Sequence, residues 1–274
     1  MLPDSNVLTV SAAPIPVLMI FGPFDPSGST CLPAEAVTCA ETGCHAISVL
    51  TGTLVQDTAG LEHIEAITPE LMDDQARCLL EDMPVHAMKA GPLYTTETVS
   101  VLAQIAADYT DIPLVVHLQR PPTTADDDDL DAEDSQTALL ELVLPQTDLA
   151  VIDHTLLQQW QSEGILPGSA FESALDALLE YGANAVLVTG VPQSGAGISC
   201  ILRDEHGQTQ RWPAVNSQPV AGTDGLLATV IATEMARGHE VPQAVERGLD
   251  IARAMASRVF QPGMGTRILN RSRQ

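Results

Sequence analysis

Apolar runs alternate with amphipathic stretches along most of the 274-residue chain. Short apolar runs bounded by turn signals are typical of strands buried on both faces. They predict strands at 15–21, 46–54, 85–90, 113–117, 148–152 and 185–189. The stretches between them have a helical pattern and predict helices at 33–42, 69–81, 95–107, 135–142 and 169–181.

Strands that alternate with helices indicate βαβ units and therefore an α/β fold, with a mostly parallel sheet covered on both faces. Around the turn signal "DEHGQ", residues 197–203 and 208–213 are predicted to pair as a hairpin. Two helices, 225–237 and 241–259, are expected to close the fold. The chain shows no internal repeat and no linker, so we expect a single domain over residues 1–274.

Acidic residues outnumber basic ones by 36 to 12, which gives a net charge of −24. Lys89 is the only lysine in the sequence. Such a field repels nucleic acids and anionic membranes, so neither is expected as a partner. The acidity fits either a cytoplasm of raised ionic strength or a protein that is simply acidic, and the sequence leaves both open.

Five cysteines lack the CxxC spacing of zinc sites and redox motifs, which favours reduced thiols in a cytoplasmic protein. They are Cys31, Cys39, Cys44, Cys78 and Cys200. The first residues lack the basic start of a secretory signal, and no run of about 18 apolar residues predicts a membrane span.

One low-complexity segment, "RPPTTADDDDLDAED" at 120–134, is strongly acidic. Repulsion between like charges and the Pro-Pro pair predict a flexible, solvated loop over about 121–134. A divalent metal site is the alternative, but the segment lacks the glycine and the spaced terminal glutamate of calcium loops. Metal ligands therefore remain unassigned.

Three motifs carry the candidate chemistry. "IFGPFDPSGST" at 20–30 follows the first strand, where Gly22 permits close approach of a ligand and Gly28 can take a positive φ in a turn. "LTGTLVQDTAG" at 50–60 follows the second strand, and the amide of Gln56 can both donate and accept. An ordinary βα turn and a solvated loop glutamine are the alternatives at these two positions.

The third motif, "AGTDGLLATVIA" at 221–232, predicts a turn that leads into a helix. Free N–H groups and the positive end of the helix dipole suit a phosphate there. Thr223 or Asp224 can equally act as a plain helix N-cap.

Together these motifs resemble the hydroxymethylpyrimidine and phosphomethylpyrimidine kinases of thiamine biosynthesis, in the ribokinase-like superfamily. The first is similar to that family's Gly-Ser/Thr-Asp-Pro-Ser-Gly-Gly loop, "TGTLVQDT" to its Thr-Ala-Leu-x-Ala-Gln-Asn-Thr, and "AGTDGLLATVIA" to its Gly-Thr-Gly-Cys-Thr helix start. "HAMKAGPL" and "ANAVLVTG" resemble two further segments of the family. The resemblance covers nearly the whole chain and implies a three-layer α/β/α sandwich.

The resemblance also implies roles for individual residues. Gly22, Glu35 and Gln56 correspond to the substrate-binding side. Thr189, Thr223 and Asp153 correspond to the nucleotide-binding side. The catalytic group is expected at Gly222, Asp224 and Gly225.

Several positions depart from the family pattern, among them four near the expected catalytic and nucleotide sites. Gly225 stands where the family has its catalytic cysteine, and the carboxylate lies one residue earlier, at Asp224. Thr189 replaces a lysine expected near the nucleotide phosphates, and His117 replaces an aspartate. Because phosphoryl transfer depends on positive charge around the transferred group, these changes are expected to reduce the rate.

The resemblance implies ATP-dependent phosphorylation of 4-amino-5-hydroxymethyl-2-methylpyrimidine or its phosphate, with ATP and Mg²⁺ required for activity. Expected partners are this small pyrimidine alcohol and a nucleotide, and a homodimer is the oligomer considered. Two alternatives stay open: a kinase-derived protein that binds a metabolite or regulates a partner without catalysis, and a pyridoxal-type vitamin kinase.

Overall fold

The computed structural model describes residues 14–119, 132–193, 197–215 and 223–272. Its main sheet has nine strands in the order β3-β2-β1-β4-β5-β6-β7-β8-β9. The strands are β1 Val17–Phe24, β2 His45–Gln56, β3 Leu61–Ala66, β4 Ala87–Ala90, β5 Leu114–Leu118, β6 Leu149–Asp153, β7 Ala185–Pro192, β8 Ile198–Asp204 and β9 Thr209–Pro213. A separate two-stranded sheet pairs β10 Val259–Phe260 with β11 Ile268–Leu269.

The six neighbouring strands β2, β1, β4, β5, β6 and β7 are parallel, and β3, β8 and β9 at the two edges pair antiparallel. The helices are α1 Cys31–Glu41, α2 Pro69–Asp82, α3 Thr96–Asp108, α4 Ala132–Ala138, α5 His154–Ser162, α6 Phe171–Glu180, α7 Thr223–Met235 and α8 Val241–Ala256. A π-helical turn at Leu139–Val143 and a 3₁₀ turn at Leu144–Gln146 continue α4.

Helices cover both faces of the sheet and give three layers, which confirms the predicted fold. One core packs α2, α3, α5 and α6 against side chains such as Met19 and Val116. The other packs α1, α7 and α8 against the opposite face, on residues such as Ile20 and Val115. Helix α7 is apolar on all sides because it lies between α1, α8 and the sheet.

Most predicted elements lie where the pattern placed them, including the β8–β9 hairpin and the positive φ of Gly28. The prediction that Gln56 lies in a loop is wrong, because β2 runs on through Gln56 and pairs with β3 as an unpredicted hairpin. The sequence reading also missed α5 and the β10–β11 pair.

Two predicted segments are only partly described. The acidic loop prediction over 120–131 lies outside the described residues, whereas Ala132, Glu133 and Asp134 form the first turn of α4 instead of a loop. Acidic side chains in a first helical turn are favourable because they face the positive end of the helix dipole. Helix α7 begins at Thr223, two residues before the predicted start. No helix in the described part of the chain is long and apolar enough to cross a membrane.

The segment between β10 and β11 crosses the tip of the β2–β3 hairpin at Thr58. The amide of Gly265 donates to Thr58 Oγ1 at 3.1 Å, and the amide of Thr266 donates to the Thr58 carbonyl at 2.7 Å. The two backbones approach so closely that a Cβ on Gly265 would lie 1.8 Å from the Thr58 carbonyl oxygen. Glycine is therefore required at 265.

We predict that Gly265→Ala detaches this segment from the hairpin, since a carbonyl oxygen cannot yield to a Cβ by rotating a side chain. The free energy of unfolding should fall by about 1–3 kcal/mol, the range for overpacking. Urea denaturation measures that loss, and cleavage by trypsin after the exposed Arg267 should become faster. Gly60→Ala is the matched control, because a Cβ there meets no atom within 4 Å. Equal behaviour of the two variants would contradict the prediction.

Candidate functional site

A cluster of buried polar groups lies at the carboxyl end of the central parallel strands, on the face covered by α1 and α7. Lys89 of β4 is fully buried, and its Nζ donates to Glu35 Oε1 of α1. A Cβ on Gly225, in the first turn of α7, would lie 3.9 Å from Glu35 Oε1 and 4.0 Å from His117 Cε1 of β5. Four elements therefore meet at this point.

Strand register explains why these side chains share one face. Lys89 pairs with Ile20 on β1 and with Val115 on β5, both of which pack under α7 and α8. Side chains alternate along a strand, so His117, two residues beyond Val115, points to the same side. Parallel strands end at the same edge, which is where α/β proteins bind ligands.

The Lys89–Glu35 pair is a buried charge pair that is only partly satisfied. Burial of either charge without the other would be costly, so each requires its partner. Among the described residues, however, Glu35 Oε2 is buried without a hydrogen-bond partner. This oxygen is a candidate acceptor for a ligand.

His117 is a neutral hydrogen-bond donor. Burial, together with the nearby charge of Lys89, lowers the pKa of His117 to about 3. Its Nδ1 lies 2.6 Å from Gln119 Nε2, an amide nitrogen that can only donate. The imidazole proton is therefore assigned to Nε2, and the neutral ring can donate one hydrogen bond from there.

The loop after β1 is organised by the buried carboxylate of Asp25. It accepts hydrogen bonds from the amides of Ser27 at 2.8 Å and Thr30 at 2.9 Å, and from the hydroxyl of Ser29 at 3.0 Å. Burial opposes the charge, but the hydrogen bonds from Ser27 and Thr30 outweigh it and lower the pKa of Asp25. The loop then enters α1 at Cys31, whose φ of 55° is strained for a residue with a side chain.

The predicted nucleotide-side residues Asp153 and Thr189 are paired neighbours on β6 and β7. Asp153 also caps α5, since its Oδ1 accepts from the Thr155 amide at 2.7 Å. A Cβ on Gly190 would lie 2.7 Å from Asp153 Oδ2, so any larger residue at 190 would clash with this carboxylate. The two residues are brought together at the same sheet edge as Glu35.

The predicted catalytic stretch is described only in part. Gly222 lies outside the described residues, and for Thr223 and Asp224 the structure gives the backbone only, as the first turn of α7. Gly225 follows in the same turn, and its carbonyl accepts from Thr229 Oγ1 at 2.7 Å. Its missing side chain leaves the space between Glu35 and His117.

The other two predicted substrate residues lie on β1 and β2, and the structure does not bring Gln56 to this cluster. Gly22 is within β1, and a Cβ there would make ordinary contact with Leu32 at 3.5 Å. Thr53 of β2 pairs with Phe24, the last residue of β1. Gln56 lies three residues further along β2 and is thus about 10 Å beyond the end of β1. In the described residues Gln56 makes no hydrogen bond with Glu35.

Sequence reasoning underrated Lys89 and His117 and missed Arg271. The available signal for Lys89 was a single lysine inside the apolar run "HAMKAG". A strand with this pattern is buried, and a fully buried lysine almost always has a charged partner. No local pattern marks Arg271, which the C-terminal segment carries back to the loop after β1. Within the described ranges, no three His, Cys, Asp or Glu side chains are grouped as a metal site.

Comparisons with known proteins identify the family of this chain. A family model described as phosphomethylpyrimidine kinase matches residues 25–270. The chain is 27% identical to a thiamine biosynthetic bifunctional enzyme of Arabidopsis thaliana over 88% of its own length and 47% of that protein. It is 24% identical to the hydroxymethylpyrimidine/phosphomethylpyrimidine kinase of Streptomyces coelicolor, over 94% and 96% of the two chains. The chain thus spans about half of the first relative and nearly all of the second.

A solved structure shares the fold. The ADP complex of Bacillus subtilis pyridoxal kinase superposes with a TM-score of 0.81 and 16% identity, covering 94% of this chain and 98% of that one. At this identity the likeness establishes the architecture alone.

We predict that Lys89 and Glu35 stabilise the fold only as a pair. Glu35→Gln or Lys89→Met alone should lower the free energy of unfolding by about 3–5 kcal/mol, because each leaves an uncompensated buried charge. The double variant should recover most of this loss. Urea denaturation at pH 7 measures the cycle, and losses that simply add would show that the two side chains act independently.

We also predict that His117 makes stability depend on pH. Its folded pKa of about 3 lies below the usual value of 6.5, so the unfolded chain binds the proton first as the pH falls. The contribution of neutral His117 to the free energy of unfolding is complete above pH 6.5 and is lost progressively towards pH 3. At pH 5.5, one unit below the unfolded pKa, the free energy of unfolding should be lower by about 1.4 kcal/mol.

His117→Gln should therefore lose less stability than the unmodified protein between pH 7.5 and pH 5.5, as measured by urea denaturation. His206→Gln is the control, since that side chain is 74% exposed. Parallel stability curves for His117→Gln and the unmodified protein would refute the assignment of a neutral buried histidine.

Proposed function

Because the chain belongs to the phosphomethylpyrimidine kinase family, we propose that it transfers a phosphoryl group from ATP to 4-amino-5-hydroxymethyl-2-methylpyrimidine or to its phosphate, in thiamine biosynthesis. The observation that carries the proposal is the meeting of Glu35, Lys89 and His117 at the start of α7. This cluster offers both an acceptor and a donor beside a helix N-terminus, as a heterocycle with a phosphorylated side arm requires.

In this proposal the pyrimidine lies against Glu35. Glu35 Oε2, which has no partner among the described residues, accepts from the exocyclic amine, while Lys89 holds Oε1 and fixes the orientation of the carboxylate. His117 donates from Nε2, and Gln56 and Gly22 line the outer part of the site. The reacting alcohol or phosphate then faces the first turn of α7.

Phosphoryl transfer needs a base and an anion site at the start of α7. Asp224 is the proposed base, and the backbone N–H groups over 222–225 form the anion site. Gly225 contributes no side chain where the family's cysteine would stand, and Thr189 adds no charge where its lysine would stand. We therefore expect turnover well below the usual order of 10 per second.

Asp153, Thr189 and Thr223 are proposed to bind the nucleotide. Mg²⁺ is usually held by one or two carboxylates together with substrate phosphates, and a dedicated protein cage is uncommon. Asp153 is the proposed carboxylate: its Oδ1 caps α5, and its Oδ2 lies close against Gly190, which has no side chain to displace it. A bound Mg²⁺ would offset phosphate charge at a site where Thr189 cannot.

We predict slow but measurable transfer that depends on Asp224. ADP release is followed by a coupled assay with each pyrimidine in turn, and pyrimidine binding is followed in parallel by calorimetry. Asp224→Asn should reduce turnover by about 10²–10⁴-fold, the usual contribution of a general base, while pyrimidine binding is retained. Asp111→Asn, at an exposed carboxylate before β5, is the control.

Each contrary outcome has a definite meaning. Turnover that survives Asp224→Asn would remove Asp224 from the mechanism. Binding of the pyrimidine without any turnover would favour a kinase-derived binding protein. Failure to bind either pyrimidine would reject the proposed substrate.

A further inference from the structure

The C-terminal segment delivers a buried cation to the substrate side of the site. After α8 the chain forms β10, crosses the hairpin tip at Thr58, forms β11 and returns to the loop after β1. There Arg271 Nη1 donates to the carbonyl of Ser29 at 3.1 Å. Ser29 is also tied to Asp25, so the arginine docks against a fixed loop.

Arg271 is buried but incompletely bonded. It is only 6% exposed, and in the described part of the chain its Nε has no hydrogen-bond partner. Burial lowers the pKa of Arg271, while the negative charges of Glu35 and Asp25 act in the opposite direction. A buried guanidinium is retained only where charges or hydrogen bonds compensate for its desolvation, and the free Nε shows that this compensation is incomplete.

A second unmatched group lies within electrostatic reach of Arg271 and also points to a ligand. Within the described residues Glu35 Oε2 is likewise buried without a partner, on a residue that is also 6% exposed. One of these groups can only accept and the other can only donate. A ligand that carries both an amine and an anionic oxygen satisfies the two together.

The chemistry of arginine selects a phosphate as the anionic part. With Nη1 engaged by Ser29, the edge that carries Nε remains, and this edge can bind a phosphate through two parallel hydrogen bonds. The position of Arg271 indicates that this phosphate belongs to the substrate and not to the nucleotide. Asp153 and Thr189 lie on β6 and β7, whereas Arg271 lies beside the loop after β1, and three strand spacings of about 4.8 Å separate β1 from β6.

We propose that Arg271 is a specificity-determining residue that binds the phosphate of a phosphorylated pyrimidine alcohol while Glu35 holds its amine. The inference rests on the proposed function and refines it, because it makes the phosphorylated form the preferred substrate. The C-terminal segment anchored at Thr58 thereby becomes part of the substrate site.

Titration calorimetry with the pyrimidine alcohol and with its phosphate, each as a separate ligand, tests the proposal. Arg271→Gln should weaken binding of the phosphate form by tenfold or more, the loss expected for a charge-assisted hydrogen bond. Binding of the alcohol should change less than about twofold, since it offers Arg271 no anionic oxygen. Arg267→Gln removes the same charge from an exposed position of the same segment and should leave both affinities unchanged.

The control for folding is the thermal unfolding midpoint of each variant. If Arg271→Gln does not fold, Arg271→Lys replaces it, because lysine keeps the positive charge but cannot donate two parallel hydrogen bonds to one phosphate. It should weaken binding of the phosphate form alone.

Equal losses for the two ligands, or no loss for either, would overturn the role of Arg271. Binding of the alcohol but not of its phosphate by the unmodified protein would also overturn it and leave the proposed kinase function intact. Binding of neither compound would reject both proposals.

Discussion

The ion pair between Lys89 and Glu35 is the constraint around which the candidate site is built. It joins the central strand β4 to α1 at a depth where neither charge reaches solvent. Burial of the neighbouring ring and the positive charge of Lys89 keep His117 neutral. Glu35 Oε1 lies beside the first turn of α7, and Glu35 Oε2 has no hydrogen-bond partner in the described residues. Replacing a buried ion pair by apolar side chains of similar volume often leaves a protein at least as stable. The charges of Lys89 and Glu35 are therefore better explained by how they orient the site than by a gain in stability.

The structure describes part of the proposed phosphotransfer site. Helix α7 begins at Thr223, and Asp153 and Thr189 are paired at the ends of β6 and β7. At the proposed reacting point Gly225 has no side chain, and Glu35 and His117 border its position. Binding of a heterocycle is therefore better supported by the geometry than fast catalysis.

Much of the architecture could be predicted from the sequence, because buried parallel strands and amphipathic helices leave periodic patterns. The β2–β3 hairpin could not, since "LTGTLVQDTAG" combines apolar residues with a turn signal and also reads as a loop. For the site, Glu35 and Gly225 were identified through a resemblance, and the register of β1, β4 and β5 then brought Lys89 and His117 to them. Arg271 depends on a contact between residues 242 positions apart, which no local pattern encodes.

Because Lys89 is the only lysine, lysine-selective ¹⁵N labelling gives the ammonium at the centre of the site its own NMR signal. We expect one resonance whose protons exchange slowly with water, since Nζ is buried and bonded to Glu35. Adding the phosphorylated pyrimidine should shift that resonance, because the ligand shares the Glu35 carboxylate with Lys89. Fast exchange with water would contradict the buried ion pair, and an unchanged resonance at saturating ligand would contradict its place in the binding site.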